Sequence, residues 1–143
     1  MGMYSISVRT SNVTINQAMC ELIATSTLSP RIMEVGFTIV TAVSCAIGLG
    51  RPAAIGITPG TISTFQAEEV TSDPAAKTTL ALTWATSPTN PTNYLRRFFT
   101  PATIGSGCIW TFPRGLQVPP SGTVTLSNIT AGVTTDTWIV VAE

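Results

Sequence analysis

The groups able to do chemistry in this 143-residue chain are seven carboxylates, seven cationic side chains and three cysteines, with no histidine. Glu68, Glu69 and Asp73 fall in one short stretch, where a glycosidase pair or a calcium loop is conceivable. Hard-cation loops usually carry several alternating Asp or Asn ligands, and this stretch has one, so solvated loop charge is the preferred reading. The other carboxylates, Glu21, Glu34, Asp136 and Glu143, are scattered. Without histidine, no Ser-His-Asp or Cys-His nucleophile can be assembled. A Ser-Lys device would rest on Lys77, the single lysine, and nothing marks a partner serine. The sequence thus offers no catalytic residue and points away from an enzyme.

Cys20, Cys45 and Cys108 are odd in number, far apart and each set in an apolar run. They lack zinc-site spacing and read as buried free thiols acting as small hydrophobes. No metal site is expected. The glycine pairs Gly48-Leu49-Gly50 and Gly105-Ser106-Gly107 do not continue as a dinucleotide or phosphate loop, so they read as turns or bulges and no cofactor is expected.

Six of the seven cations are arginine, a residue suited to planar contacts at interfaces, although codon bias in the source explains the excess equally well. Arg96-Arg97 precedes Phe98-Phe99, a pairing that can grip single-stranded nucleic acid. In a strand, however, neighbours alternate between faces, so one Phe and one Arg face outward. With zero net charge, a protein contact is the better expectation, and no nucleic-acid partner is expected. Trp84, Trp110 and Trp138 could line a sugar-binding surface, but aliphatic neighbours at strand spacing favour core packing.

Those residues must be positioned by strands. Threonine, β-branched and suited to a pleated surface, supplies 25 residues. Tyr4, Ile6 and Val8 alternate with Ser5, Ser7 and Arg9. Met33, Val35, Phe37 and Ile39 share one face. Leu80, Leu82 and Trp84 alternate with Thr79, Ala81 and Thr83. Val124 and Leu126 alternate with Thr123, Thr125 and Ser127, and the chain closes on Trp138 to Ala142. This period of two marks strands with one buried face, the threonines marking the other. Thr14 to Ala24 reads either as a short helix behind a Thr14/Gln17 capping box or as a strand with Ala18, Cys20, Leu22 and Ala24 inward. Its strand-like neighbours favour the strand.

Turn signals at Ser29-Pro30, Pro59-Gly60, Asp73-Pro74, Ser87 to Pro91, Pro113-Arg114-Gly115 and Pro119 to Gly122 cut the chain into eight or nine strands. Ser87 to Asn93 reads as a long loop at one end of the fold, with Thr58 to Gly60 and Glu68 to Ala76 as its counterparts. The length suits one domain over residues 1–143, an all-β antiparallel sandwich. Charged residues make up only 10% of the chain, which favours a surface partly covered by subunits or a partner. The longest apolar run, Phe37 to Gly50, is too short for a bilayer, and the N-terminus lacks a signal-peptide layout, so no membrane association is expected. Two N-x-T sequons, at Asn12 and Asn128, read as chance in so threonine-rich a chain.

Gly48 to Ala54 and Ile109 to Pro119, the latter followed by Ser121-Gly122 and an alternating strand, carry a resemblance. A strand, then Phe-Pro-x-Gly-Leu-x-Val-Pro, then a small-residue turn and another strand resembles the late part of a viral jelly roll. The whole chain is similar to small jelly-roll capsid decoration (cement) proteins of tailed bacteriophages. That resemblance implies a homotrimer on the capsid exterior, made in the host cytoplasm and bridging subunits of the major capsid protein. It lends no catalytic residue. Arg51, Arg96, Arg97 and Arg114, which lie near loops, are the expected partner contacts. The alternative is a tail-tip or fibre sandwich module that binds a host surface glycan, since a jelly roll can host either role.

Overall fold

The computed structural model describes residues 1–11, 13–70 and 73–143. Among these described residues thirteen strands follow one another: β1 (Met3–Arg9), β2 (Gln17–Ile23), β3 (Arg31–Ile39), β4 (Cys45–Gly50), β5 (Ile57–Pro59), β6 (Ile62–Thr64), β7 (Gln66–Ala67), β8 (Thr79–Ala81), β9 (Trp84–Thr86), β10 (Arg96–Thr100), β11 (Gly107–Gln117), β12 (Thr123–Asn128) and β13 (Thr135–Ala142). One sheet runs β11-β3-β13-β1-β7, the other β10-β4-β12-β2-β8-β6, and β5 pairs with β9 in a small third sheet. Every pairing is antiparallel.

Eight strands form the framework. Its two sheets are β1-β13-β3-β11 and β2-β12-β4-β10, and every framework connection but β4 to β10 crosses between sheets. That is the interlocked double Greek key of a jelly roll. The eight or nine strands expected match this framework. The other five come from residues 51–95: β7 adds to β1, β8 and β6 add beyond β2, and β5 and β9 pair with each other apart from both sheets. β8 and the start of β9 lie in the run Thr79 to Trp84 that reads as one strand, whereas β5, β6 and β7, of two or three residues each, are too short to show a period.

The same segment explains a second departure. Ser87 to Asn93 does not hang at one end of the fold; it lies on the outer face of the second sheet. Thr89 bridges Ala54, the Ser127 hydroxyl donates to Asn90 Oδ1 at 2.9 Å, and Pro91 and Tyr94 pack so close that a Cβ at Gly50 or Gly48 would stand 2.7 or 2.5 Å from them. β4 and β12 are therefore buried on both faces. Thr125 and Ser127 do not mark a wet face: both are fully covered.

Threonine also enters the core. Thr10, Thr135 and Thr137 are buried and link their hydroxyls, Thr10 to Thr135 at 3.2 Å and Thr135 to Thr137 at 2.8 Å. Each hydroxyl finds a partner, so burial carries no unpaired-group penalty. The rest of the core is aliphatic and aromatic, centred on Phe37, whose ring meets Trp110 at 5.3 Å and Phe98 at 6.2 Å. Complete burial of a side chain such as Phe37 contributes about 1.5–3 kcal/mol.

Thr14 to Ala24 resolves as strand β2, with Ala18, Cys20, Leu22 and Ala24 buried. A register shift opposite Leu126 and Ser127 also brings Met19 into the core. A similar shift in the β13–β3 ladder passes over Met33, so Ile32 takes the core position that strict alternation gave to Met33. Asn12 and its sequon lie outside the described residues, whereas Asn128 is fully buried and inaccessible to glycosylation in the folded chain. No helix among the described residues is long and apolar enough to cross a membrane.

The three cysteines are free: Cys20 and Cys45 are buried and Cys108 is half-buried. Burial pushes the Cys20 thiol up to about 12 and the Cys108 thiol to about 11. The thiolate is the nucleophile, so both are unreactive near neutrality. With a disulfide-exchange reagent at pH 8, native protein is expected to release far less than one equivalent in the time that denatured protein releases three. A fast native reaction at Cys20 would contradict its burial.

Candidate functional site

The short strands β6, β7 and β8 build out one margin and leave the opposite one bare, with β10 and β11 as edge strands of the two sheets. An edge strand presents unpaired backbone groups, which proteins usually cover or blunt. Here the margin is built by one arginine-aromatic strand and one bulged strand.

In β10 the aromatic pair splits as alternation requires. Phe98 turns inward onto Phe37, and Phe99 stands 62% exposed on the other face. Arg96 shares the Phe98 side but lies at the strand's start, so its guanidinium reaches the rim. It sits 5.2 Å from the centre of the Phe112 ring and donates to the Leu95 carbonyl at 2.9 Å. Such an exposed cation–π contact contributes about 0.5–1 kcal/mol. Arg97 emerges on the Phe99 face, near Tyr94. Burial raises the Tyr94 phenol above its ordinary pKa, against opposing pulls from Ser127 and Arg97.

Pro113-Arg114-Gly115 is not a turn between strands. It is a bulge within β11: Thr111 pairs with Glu34, and the next pair is Leu116 with Ile32. Proline has no N–H for the ladder, which suits an edge bulge. Gly115 holds φ +69°, and a Cβ there would stand 2.7 Å from the Arg31 Cβ, so conformation and space both demand glycine. Arg31 Nη1 donates to the Arg114 carbonyl at 3.0 Å, and Arg51 Nη2 to the Gln117 carbonyl at 2.8 Å. These two guanidiniums fasten the bulge by its backbone and leave the Arg114 side chain exposed. Gly115→Ala is expected to lower stability by about 1–3 kcal/mol, read as a shift in the urea midpoint. An unchanged midpoint would mean that the bulge relaxes freely.

The four arginines expected as contacts thus divide. Arg51, Arg96 and Arg114 converge around Phe112 to Gln117, while Arg97 lies on the outer side of β10. Arg31, not anticipated, joins them because β3 starts beside the bulge. None of the five forms an ion pair among the described residues, where the one salt bridge is Arg9–Asp136 at 2.8 Å. Phe99, Ile104 and Ile109, each more than half exposed, follow along β10, its connection and β11. Glu34 lies one strand in from this margin, opposite Thr111, but three other acids lie on the far side. Glu69, Asp73 and Glu143 border a recess of about 370 Å³ with Tyr4 and Lys77, toward the β7 side. Glu143 accepts from the backbone N–H of Lys77 and Thr78, at 2.6 and 3.1 Å. A chain of zero net charge therefore carries a cationic margin.

The tryptophans also divide. Trp110 packs at the core as expected. Trp84 leaves the β8 line after Leu82, and its indole N–H donates to buried Glu21 at 2.8 Å. Trp138 lies on the outer face of the first sheet and donates to Glu34 Oε1 at 2.9 Å. The Glu68 to Asp73 stretch lies partly outside the described residues. Among the described residues, no group of three His, Cys, Asp or Glu side chains stands close enough to hold a metal ion. No protein-family model, curated protein or solved structure matches the chain.

Proposed function

We propose that this protein is a non-enzymatic virion structural protein, a capsid decoration or cement protein that binds the major capsid protein lattice from outside. The observation that carries this reading is the bare β10/β11 margin: among the described residues Arg31, Arg51, Arg96 and Arg114 around the bulge and Arg97 on the outer side of β10 form no ion pair, and Phe99, Ile104 and Ile109 are exposed farther along. Interfaces favour this mixture of arginine and aromatic groups beside apolar surface. Arg31, Arg51 and Arg96 are already held by backbone carbonyls, so they meet a partner with little further ordering cost. A shell protein needs a stiff scaffold and such a margin, and no proton-transfer residue. The jelly-roll topology agrees with the resemblance carried by the Phe-Pro-Arg-Gly run, which forms the bulge on this margin.

The reading further holds that three copies assemble. Light scattering of the purified protein is then expected to report about 45 kDa, three times the 15.0 kDa chain. A monodisperse monomer would exclude the trimer. The lattice contact is tested by co-sedimentation with shells assembled from the major capsid protein of the same genome, where saturable binding is expected and its absence would refute the assignment. The tail-tip or fibre reading has its own support in a groove on the opposite flank of the first sheet.

A further inference from the structure

On the outer face of the first sheet, one row of side chains runs Ser7, Trp138, Gly36, Ile109 across β1, β13, β3 and β11. The row beside it runs Ser5, Val140, Glu34, Thr111. Gly36 is the reason Trp138 can lie across the sheet: a Cβ at residue 36 would stand 2.1 Å from the indole. The Trp138 N–H bond to Glu34 then fixes the ring's rotation. Residues of β6, β7 and Glu68 border the far side of a shallow, open groove of about 650 Å³ that includes Ser5, Ser7, Glu34, Gln66, Glu68 and Trp138. That size falls within the usual range for small-ligand sites.

We propose that this groove binds a neutral carbohydrate, with Trp138 as the stacking platform and Glu34, Glu68 and the serines as hydroxyl partners. A pyranose has an apolar C–H face and a rim of hydroxyls. It therefore needs a fixed aromatic surface flanked by acceptors and small donors. Trp138 is such a surface, pinned before any ligand arrives, which lowers the ordering cost of binding. The polar groups are available: the side chains of Ser5, Ser7, Gln66 and Glu68 make no hydrogen bond among the described residues, and Glu34 uses only one oxygen on Trp138. Charge narrows the ligand class. No Lys or Arg lines the groove and two carboxylates do, so phosphate, sulfate and uronate groups are repelled. A second groove, of about 700 Å³ beside Tyr94, is a poorer candidate because its Asn90 amide is already spent on Asn16 and Ser127.

The test uses the full chain in isolation and does not depend on the capsid assignment. Calorimetric titration would use hexasaccharides of β-1,4-glucose, β-1,4-N-acetylglucosamine, α-1,4-glucose and α-1,6-mannose, with a heparin hexasaccharide as the acidic control. At least one neutral probe is expected to bind with Kd below about 1 mM, a weak but specific affinity, and heparin is not. Glu34→Gln keeps an oxygen for the Trp138 N–H while removing the charge. It is expected to weaken binding about tenfold, the loss of a charge-assisted hydrogen bond, without moving the unfolding midpoint. Trp138→Phe, which shrinks the platform and removes its N–H, is expected to weaken binding further. Three results overturn the proposal: no neutral probe binding at about 5 mM, binding that survives both substitutions, or tight heparin binding. A second copy filling the groove would appear as concentration-dependent burial of Trp138 with no sugar response, and would also overturn it.

Discussion

Reversing Arg96 and Arg97 to glutamate together is expected to cut affinity for the capsid shell by about 1,000-fold, which follows if each is an interface hot spot worth about 2 kcal/mol. The two arginines occupy adjacent positions on an edge strand and emerge on its two faces. Neither forms an ion pair among the described residues, so under the proposed function their charge is free to meet the shell. Reversal removes the attraction and adds repulsion against the same groups. The fold is expected to survive, because both side chains are exposed and the stacking of Arg96 over Phe112 stabilises it by about 0.5–1 kcal/mol. Co-sedimentation at several salt concentrations measures the effect, and the wild-type affinity should fall as salt rises. Unchanged occupancy with a folded variant would remove this margin from the interface and, with it, the observation on which the decoration assignment rests.

The largest stability effect is expected at Glu21, which is 1% exposed on the outer face of the second sheet. One of its oxygens accepts from the Trp84 indole at 2.8 Å and the other from the Gly56 N–H at 3.2 Å. Glu21→Ala orphans both donors, at about 1–3 kcal/mol each. Relief from burying a carboxylate offsets part of that. The net expectation is a drop of about 2–4 kcal/mol in stability, read by urea unfolding. Glu21→Gln is not a mild substitute: its NH2 would face one of the two N–H donors, so it should destabilise by about 1–3 kcal/mol. Trp84→Phe removes one donor, and a double-mutant cycle with Glu21→Ala should show coupling of about 0.5–3 kcal/mol. Hydrogen exchange should rise first in β5 and β9, the strands this carboxylate anchors. An unchanged midpoint for Glu21→Ala would mean that the β5–β9 flap is held from elsewhere.

Glu21 also shows where sequence reading stops. It lies in the alternating run from Gln17 to Ile23, where it reads as an outward polar residue, and it does face away from the sandwich core. Its burial comes from the segments around Gly56 and Trp84, which fold back over that face. The same covering buries Thr125 and Ser127, and it turns Ser87 to Asn93 from an end loop into a lid on the sheet. The split of Phe98 from Phe99 is legible because strand alternation is local geometry. The clustering of Arg31 with Arg51, Arg96 and Arg114 is not, because it joins four separate segments. Gly115 does carry a local signal: a glycine after Pro-Arg inside an apolar run marks a bulge as readily as a turn.

What the sequence determined by itself is what local physics controls: an all-β chain, the alternation of its long strands, the absence of imidazole chemistry and cysteines placed as hydrophobes. Side-chain period, β-branching and residue inventory act over a few residues, so they can be read without a partner strand. Tertiary structure alone decided which faces are wet. A pleated strand has two faces, and alternation distinguishes them without saying what covers each. Here one outer face received the segments around Ala54 to Gly56 and Trp84 to Tyr94, and the other stayed open, exposing Trp138 across Gly36. One margin was extended by short strands and the opposite one left with arginines that form no ion pair among the described residues. Those choices are set by pairings between residues far apart in the chain, and they place both candidate contact surfaces.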